Sequence, residues 1–200
     1  MSKRIFVIVL VVIIGFLLLT SFSSYNRFVR LDEQVNSSWA QVENVLQRRM
    51  DLIPNLVETV KGYANFEQET LTQVIQARAQ ATQTKVDAGQ IAGNPQQMQK
   101  YLDAQNSLSS ALGRLMVVVE RYPELKANQN FIRLQDELAG TENRIAVERR
   151  RYNEDVRAYN QTIRTFPSNI MAKLFGFEKR TYFEAPEEAQ TAPQVDFGTE

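Results

Sequence analysis

The fold is decided by residues 131–166, which read FIRLQDELAGTENRIAVERRRYNEDVRAYNQTIRTF. Large apolar side chains recur every seven residues along this stretch, at Phe131, Leu138, Ile145, Tyr152, Tyr159 and Phe166. A seven-residue repeat keeps such side chains on one side of a long α-helix, as in helical bundles and coiled coils. A helix of this length needs partners along its whole length, and the other segments of the chain carry matching apolar patterns.

The neighbouring row of the same helix is polar in its middle. It begins with Leu134 and ends with Val156 and Ile163. A polar layer lowers the stability of a bundle and can fix the register of its helices, and its carboxylates offer ligands only to a hard cation. Because the chain contains no histidine, we expect no metal there. The polar positions are Thr141, Glu142, Glu148 and Arg149.

Composition excludes several classes of function. The chain has 200 residues, a net charge of zero, no cysteine and no histidine. The charge balance, with no basic face among aromatic residues, argues against nucleic-acid binding. The missing residue types exclude disulfides, thiol nucleophiles and the usual general base. An enzyme would have to use Ser, Thr, Lys or carboxylates, and no motif gathers them, so we expect no catalytic residues and no cofactor.

The N-terminus carries a long apolar run. Residues 5–19 are apolar throughout when Gly15 is included, and residues 20–22 extend the run to eighteen positions. A membrane-spanning helix needs about 20 residues, with about 17 as the lower limit. The alternative is a cleaved signal peptide, but Ser21-Phe22-Ser23 is a poor cleavage site. We therefore expect a retained transmembrane anchor over residues 1–24, which includes Ile5, Leu10, Gly15, Leu19 and Phe22.

The residues that flank this run indicate its orientation. Lys3, Arg4 and the terminal amine slightly outweigh Arg27 and Arg30 on the other side. This bias favours an N-terminus in the cytoplasm and a helical domain on the periplasmic side. Tyr25 and Phe28 follow the run. They form either an aromatic belt at the membrane interface or part of the bundle core.

The rest of the apolar pattern predicts an elongated antiparallel bundle of about four long helices. The first helix continues from the anchor and ends at Gly62, and the second follows it. Residues 87–95 form the clearest loop, and a third helix starts at Gln96. The fourth starts at Pro123, and the short connection there predicts that the third and fourth helices are antiparallel neighbours.

Residues 48–56, RRMDLIPNL, interrupt the first helix with a proline. Pro54 lacks a backbone donor, so the helix is expected to kink there or to restart with Asp51 as its N-cap. Asp51, Pro54 and Asn55, beside Arg48 and Arg49, are also candidates for an exposed recognition corner. The alternative is that they serve as a cap and as charges on the helix dipole.

The chain changes character after Phe166. Residues 167–184 hold a short amphipathic helix and an aromatic segment, and residues 185–200 are acidic and expected to be disordered. The short segment either folds onto the bundle as a lid or contacts a bilayer or another subunit. Its candidate interaction residues are Ile170, Leu174, Phe175 and Phe177.

Four segments together resemble the LemA family: residues 48–57, 122–128, 138–143 and 165–169. The resemblance implies a bacterial protein anchored in the inner membrane by a single pass, with an antiparallel helical bundle and no established enzymatic activity. It also implies a genomic setting beside a membrane-embedded zinc protease in some bacteria, which indicates a role in envelope protein quality control.

These observations lead to one functional expectation and two alternatives. The expected function is a non-catalytic membrane-anchored scaffold or adaptor, whose bundle over residues 25–166 binds envelope proteins, such as a membrane protease, and further copies of itself. The first alternative is a homo-oligomer with a structural or membrane-shaping role. The second, less favoured, is an enzyme.

Overall fold

The computed structural model describes residues 3–63, 67–84 and 93–183, and the side chains at positions 3–4 and 13–20 lie outside that description. The described chain is all-helical, as the sequence predicted. The disorder predicted for residues 185–200 concerns positions outside the described ranges. The helices are α1 (Lys3–Lys61), α2 (Gln68–Gln83), α3 (Pro95–Val119), α4 (Pro123–Lys126), α5 (Gln129–Arg164) and α6 (Ser168–Phe175).

The first helix passes through its proline without a break. Helix α1 contains 59 residues, includes Pro54 and ends just before Gly62. The predicted alternative of a restart at Asp51 is therefore wrong. Pro54 cannot donate to the carbonyl four residues earlier, which belongs to Met50. Arg78 of α2 replaces the missing donor, because its Nε donates to the Met50 carbonyl at 2.9 Å. This contact ties α2 to α1 at the proline.

The N-terminal part of α1 does not support the predicted transmembrane helix. Among the described residues, no helix combines the length and the apolar character that crossing a membrane requires. Of the predicted anchor residues, Ile5, Leu10 and Phe22 are exposed, and the exposure of Gly15 and Leu19 lies outside the description.

Two apolar clusters fill the bundle, one in each half. In the distal half, the part of α1 after Met50 packs with α2, with the second half of α3 and with the start of α5. In the proximal half, α1 from Phe28 to Leu46 packs with the start of α3 and with α5 from Ile145 to Ile163. This proximal cluster also contains Ala172 and Phe183, so the C-terminal segment completes the core there.

The pairing of helices differs from the expected one. The most extensive contacts join α1 to α5 and α2 to α3. Helices α3 and α5 instead border a groove of about 420 Å³, whose floor includes Leu112 and Leu138. The short helix α4 separates them, so the long helix starts at Gln129, capped by Asn128, and not at Pro123.

The seven-residue seam is buried from Phe131 to Tyr159, but Phe166 lies beyond the end of α5 and is 76% exposed.

Candidate functional site

The C-terminal segment lies in a groove between α1 and α5 at the proximal end. We call residues Phe177–Phe183 the strap. At its start, the ring of Phe177 packs edge-on against Phe28 at a centroid distance of 5.2 Å. At its end, the ring of Phe183 stacks on Trp39 at 5.4 Å. The strap therefore runs along about three turns of α1, with an aromatic ring anchored at each end.

Two asparagines of α5 bind the main chain of the strap. Asn160 Nδ2 donates to the Arg180 carbonyl at 2.8 Å, and its Oδ1 accepts from the Arg180 N–H at 2.9 Å. Asn153 makes the same pair of bonds to Phe183, at 2.9 and 2.8 Å. Each amide side chain thus pairs with the strap as a neighbouring β-strand would, through one donor and one acceptor.

The residue before each asparagine is a tyrosine that also binds the strap. Tyr152 Oη donates to the Thr181 carbonyl at 2.9 Å, and Tyr159 Oη donates to the Glu178 carbonyl at 2.9 Å. Burial raises the pKa of both phenols, to about 12 for Tyr159. Nearby Asp32 also raises the pKa of Tyr159, while Arg180 opposes the shift. Both groups therefore act as neutral donors at physiological pH.

An ion pair fixes the middle of the strap to α1. Arg180 donates to both carboxylate oxygens of Asp32, with Nε and Nη2 at 2.8 and 2.9 Å. Both side chains are mostly buried, at 17% and 23% exposed. A bidentate pair of this kind is geometrically specific, so it selects which strap residue sits at this level of the groove.

Helix α6 lies beside the strap but keeps its apolar side in solvent. Ile170 is 52% exposed, Leu174 72% and Phe175 39%, whereas Ala172 is buried. Met171 Sδ accepts a bond from Ser21 Oγ of α1 at 3.2 Å. This places α6 at the level where the apolar N-terminal run of α1 ends.

A charged layer crosses the middle of the bundle where the apolar seam was expected to turn polar. Arg49 of α1 is 1% exposed, and its Nη1 lies 2.8 Å from Glu142 of α5. Arg49 also donates to Gln105 and Ser109 of α3. Burial, and then the charge of Arg49, lower the pKa of Arg149. The layer therefore joins three helices through one buried guanidinium.

Comparison with known proteins places these features in a family. A model of the LemA family matches residues 38–197, which is most of the chain. The chain belongs to the LemA family. Protein LemA of Metamycoplasma hominis is 25% identical over 186 residues, which cover 93% of this chain and 80% of that protein.

Further relatives carry another name. Magnetosome protein MamQ 2 of Paramagnetospirillum magneticum is 28% identical over 176 residues, covering 80% of this chain. The chain spans 64% of the length of that relative. Magnetosome protein MamQ of Magnetospirillum gryphiswaldense is 27% identical over 189 residues, covering 86% of this chain and 70% of that protein.

In this LemA-family chain, the three candidates near the proline share the outer side of α1. Asp51, Pro54 and Asn55 are all exposed. Asp51 accepts a bond from Gln47 Nε2 at 2.7 Å, within the same helix. Arg49, expected beside them, points instead into the charged layer. A recognition role for the three exposed residues stays a prediction.

The described residues also bear on metal binding, because metal ions require a group of ligand side chains. They contain no group of three or more carboxylate, histidine or cysteine side chains arranged to hold a metal ion. Glu142 and Glu148, which fall in the polar layer, instead lie near Arg49 and Arg151 respectively, each within salt-bridge distance.

Sequence reasoning missed the asparagines that hold the strap. Asn153 and Asn160 lie beside the apolar seam, where polar residues are ordinarily solvated. A signal was present, since the pair Tyr-Asn occurs twice at a spacing of seven residues, at 152–153 and 159–160. The ion-pair partner Asp32 had no comparable signal.

The raised pKa of Tyr159 predicts that the strap detaches at high pH. An unfolded tyrosine titrates near pH 10. The folded pKa is about 12, so the stabilisation from the neutral phenol is complete below about pH 10 and is lost as the pH rises toward 12. Trp39, the single tryptophan, stacks on Phe183, so its fluorescence should change over this interval. In Tyr159→Phe, the part of the fluorescence change that comes from ionisation of Tyr159 should vanish. If the fluorescence of this variant changes with pH in the same way as that of the natural protein, the assignment to Tyr159 is wrong.

Proposed function

We propose that this protein is a non-catalytic scaffold that is attached to the bacterial cytoplasmic membrane and holds a helical bundle away from the bilayer. The observation that carries the proposal is the position of two exposed apolar surfaces at one end of the molecule. One is the N-terminal run of α1, and the other is the apolar face of α6.

The N-terminal run supports attachment to a membrane. The side chains of residues 5–12 are 45–64% exposed, and all eight are large and apolar. Monomeric soluble proteins rarely expose a continuous apolar surface of this extent. The apolar sequence continues to residue 19.

The face of α6 supports contact with the bilayer surface. Tyr25 of α1 packs edge-on against Phe175 at 5.1 Å, so α6 stays close to the end of the apolar run. Exposed Leu174 and Ile170 flank Lys173, and an apolar face with a basic border is typical of helices that lie in the membrane interface. We assign α6 this position.

The bundle then extends away from the membrane. From residue 21 to its end at Lys61, α1 covers about 60 Å, given a rise of 1.5 Å per residue. Exposed Asp51, Pro54 and Asn55 lie on this projecting part. We assign them to the binding of other envelope proteins, on the periplasmic side. The match to the LemA family supports a role without catalysis.

A membrane-shaping role is the second candidate, and the same helix favours it. An amphipathic helix that inserts into one leaflet perturbs the two sides of the bilayer unequally, and its binding depends on membrane curvature. The relatives that are magnetosome proteins lead us to retain this candidate.

A site-specific label tests the proposed orientation. The chain has no cysteine, so Leu174→Cys and Val117→Cys each provide one labelling position, and the two side chains are 72% and 71% exposed. With full-length protein in liposomes, nitroxide lipids should quench a fluorophore at position 174 strongly and one at position 117 weakly. Equal quenching at both positions would contradict the orientation, and no recovery of protein with the liposomes would contradict membrane attachment.

A further inference from the structure

The groove between α1 and α5 recognises the strap mainly through its main chain. Asn153, Asn160, Tyr152 and Tyr159 make six hydrogen bonds to strap residues, and all six involve backbone atoms of the strap. Main-chain recognition of this kind gives affinity to any extended peptide, as when a strand is added to a sheet edge.

The spacing of the two Tyr-Asn pairs matches that of an extended chain. Seven residues of helix rise about 10.5 Å. Three residues of an extended chain with three residues per turn, as in polyproline II, rise about 9 Å and return to the same side. The bonded strap residues are Arg180 and Phe183 for the asparagines, three positions apart. The helical repeat of α5 is thus in register with the strap.

Three side chains of the strap determine which extended peptide fits. Phe177 packs against Phe28, Arg180 pairs with Asp32, and Phe183 stacks on Trp39. The groove therefore selects an aromatic residue, a basic residue and a second aromatic residue at three-residue intervals. A peptide that satisfies all three positions is present on every further copy of this chain.

The connection to the strap allows it to reach another molecule. Ala172 is the one buried residue of α6, and Met171 and Phe175 also contact α1. Pro167 precedes α6, and Gly176, with a φ of 75°, follows it. A glycine in this conformation has access to other backbone geometries at little cost. The segment from 167 to 176 thus supplies the length and the hinge for exchange.

We propose that the strap of one copy docks in the α1–α5 groove of a second copy, which gives a strap-exchanged dimer. Exchange of an identical element between protomers reproduces the same contacts in both molecules. The closed monomer and the exchanged dimer then differ little in contact energy, so protein concentration determines the balance. The inference goes beyond the proposed scaffold function and depends on the contacts of the groove alone.

A crosslinking experiment with two singly substituted full-length chains tests the exchange. Arg157→Cys lies on α5 between Asn153 and Asn160, and Lys179→Cys lies within the strap; both positions are exposed. The two proteins are mixed in detergent, exchanged by dilution and reconcentration, and treated with a short bis-maleimide. A covalent heterodimer is expected, in a yield that rises with protein concentration. Lys179→Cys mixed with Val117→Cys, at the distal end, serves as the matched control and should give no such product.

The position of a second substitution distinguishes exchange from mere proximity. Asn153→Ala with Asn160→Ala is added either to the chain that carries Arg157→Cys or to the chain that carries Lys179→Cys. In an exchanged dimer, the substitutions should reduce the heterodimer at least tenfold on the first chain and little on the second. If circular dichroism shows loss of helix, Asn153→Asp with Asn160→Asp is used instead. This pair keeps the volume, replaces the two amide donors by acceptor oxygens and adds two negative charges that face the strap carbonyls. Absence of the heterodimer, or equal loss from both chains, would overturn the proposal.

Discussion

Replacement of Glu142 by alanine should destabilise the protein by about 3 kcal/mol, although its side chain is 44% exposed. The reason is the partner, because Arg49 is 1% exposed and would keep its positive charge after losing the carboxylate. Removal of one member of a buried pair leaves an uncompensated charge, which costs about 3–5 kcal/mol. We expect the low end of this range since water already solvates part of Glu142. Arg149, whose pKa is lowered by burial and by Arg49, adds to the charge imbalance.

Substitution of the partner, Arg49, should lower the stability less. Arg49→Met removes the buried charge and keeps most of the volume, so the main loss is the donor to Gln105 and Ser109, about 1–2 kcal/mol. The double variant should then be about as stable as Arg49→Met alone. Urea unfolding in detergent, followed by circular dichroism, measures all three. A larger loss in Arg49→Met than in Glu142→Ala would show that hydrogen bonding, and not charge balance, dominates the layer.

The charged layer also shows how far the sequence could predict the bundle. The seven-residue repeat indicated that Thr141 and Glu142 would interrupt the apolar seam, and Thr141 is buried. The repeat could not indicate that Arg49 is the partner of Glu142, because this pairing depends on which face of α1 meets α5. Arg49 lies next to Arg48 near a proline, and neither interpretation considered for it, an exposed recognition corner or a charge on the helix dipole, placed it in the polar layer. The register between α1 and α5 instead places Arg49 inside the bundle, beside Glu142.

The proline was misinterpreted in part for a similar reason. Local rules say that Pro54 leaves a carbonyl without its helical donor, which favours a kink or a break. In the folded chain, Arg78 supplies that donor from α2. Tertiary contacts of this kind are invisible to local rules, and they allow one helix of 59 residues to continue.

The C-terminal segment divides between the two alternatives that its sequence left open. Phe183 is 7% exposed and belongs to the core of the proximal half, as a lid would. Ile170 and Leu174 remain exposed, as a contact surface would. Composition could not separate the two parts because both are apolar. What separates them is the pair of asparagines on α5, which bind residues 180 and 183.

Replacement of Trp39 by alanine is expected to give the largest loss of stability, about 3–5 kcal/mol. Trp39 is fully buried, and its ring contacts Tyr101 of α3, Tyr152 of α5 and Phe183 of the strap at 5.4–5.5 Å. Each such aromatic pair adds about 0.5–1.5 kcal/mol to the effect of burial. One side chain of α1 thus joins three other segments of the proximal half.

Two further substitutions show whether this loss comes from the joined segments or from the indole alone. Trp39→Phe should lose less than half as much, because Nε1 has no hydrogen-bond partner among the described residues. Val117→Ala, at a position 71% exposed, should change the free energy of unfolding by less than about 0.5 kcal/mol. Phe183→Ala should destabilise the natural protein and have a smaller further effect in Trp39→Ala, since the stacked partner is gone and the edge-on contact with Tyr152 at 5.1 Å remains. If the effects of Trp39→Ala and Phe183→Ala simply add, the strap is held by its main-chain bonds and the Trp39 contact contributes nothing to docking.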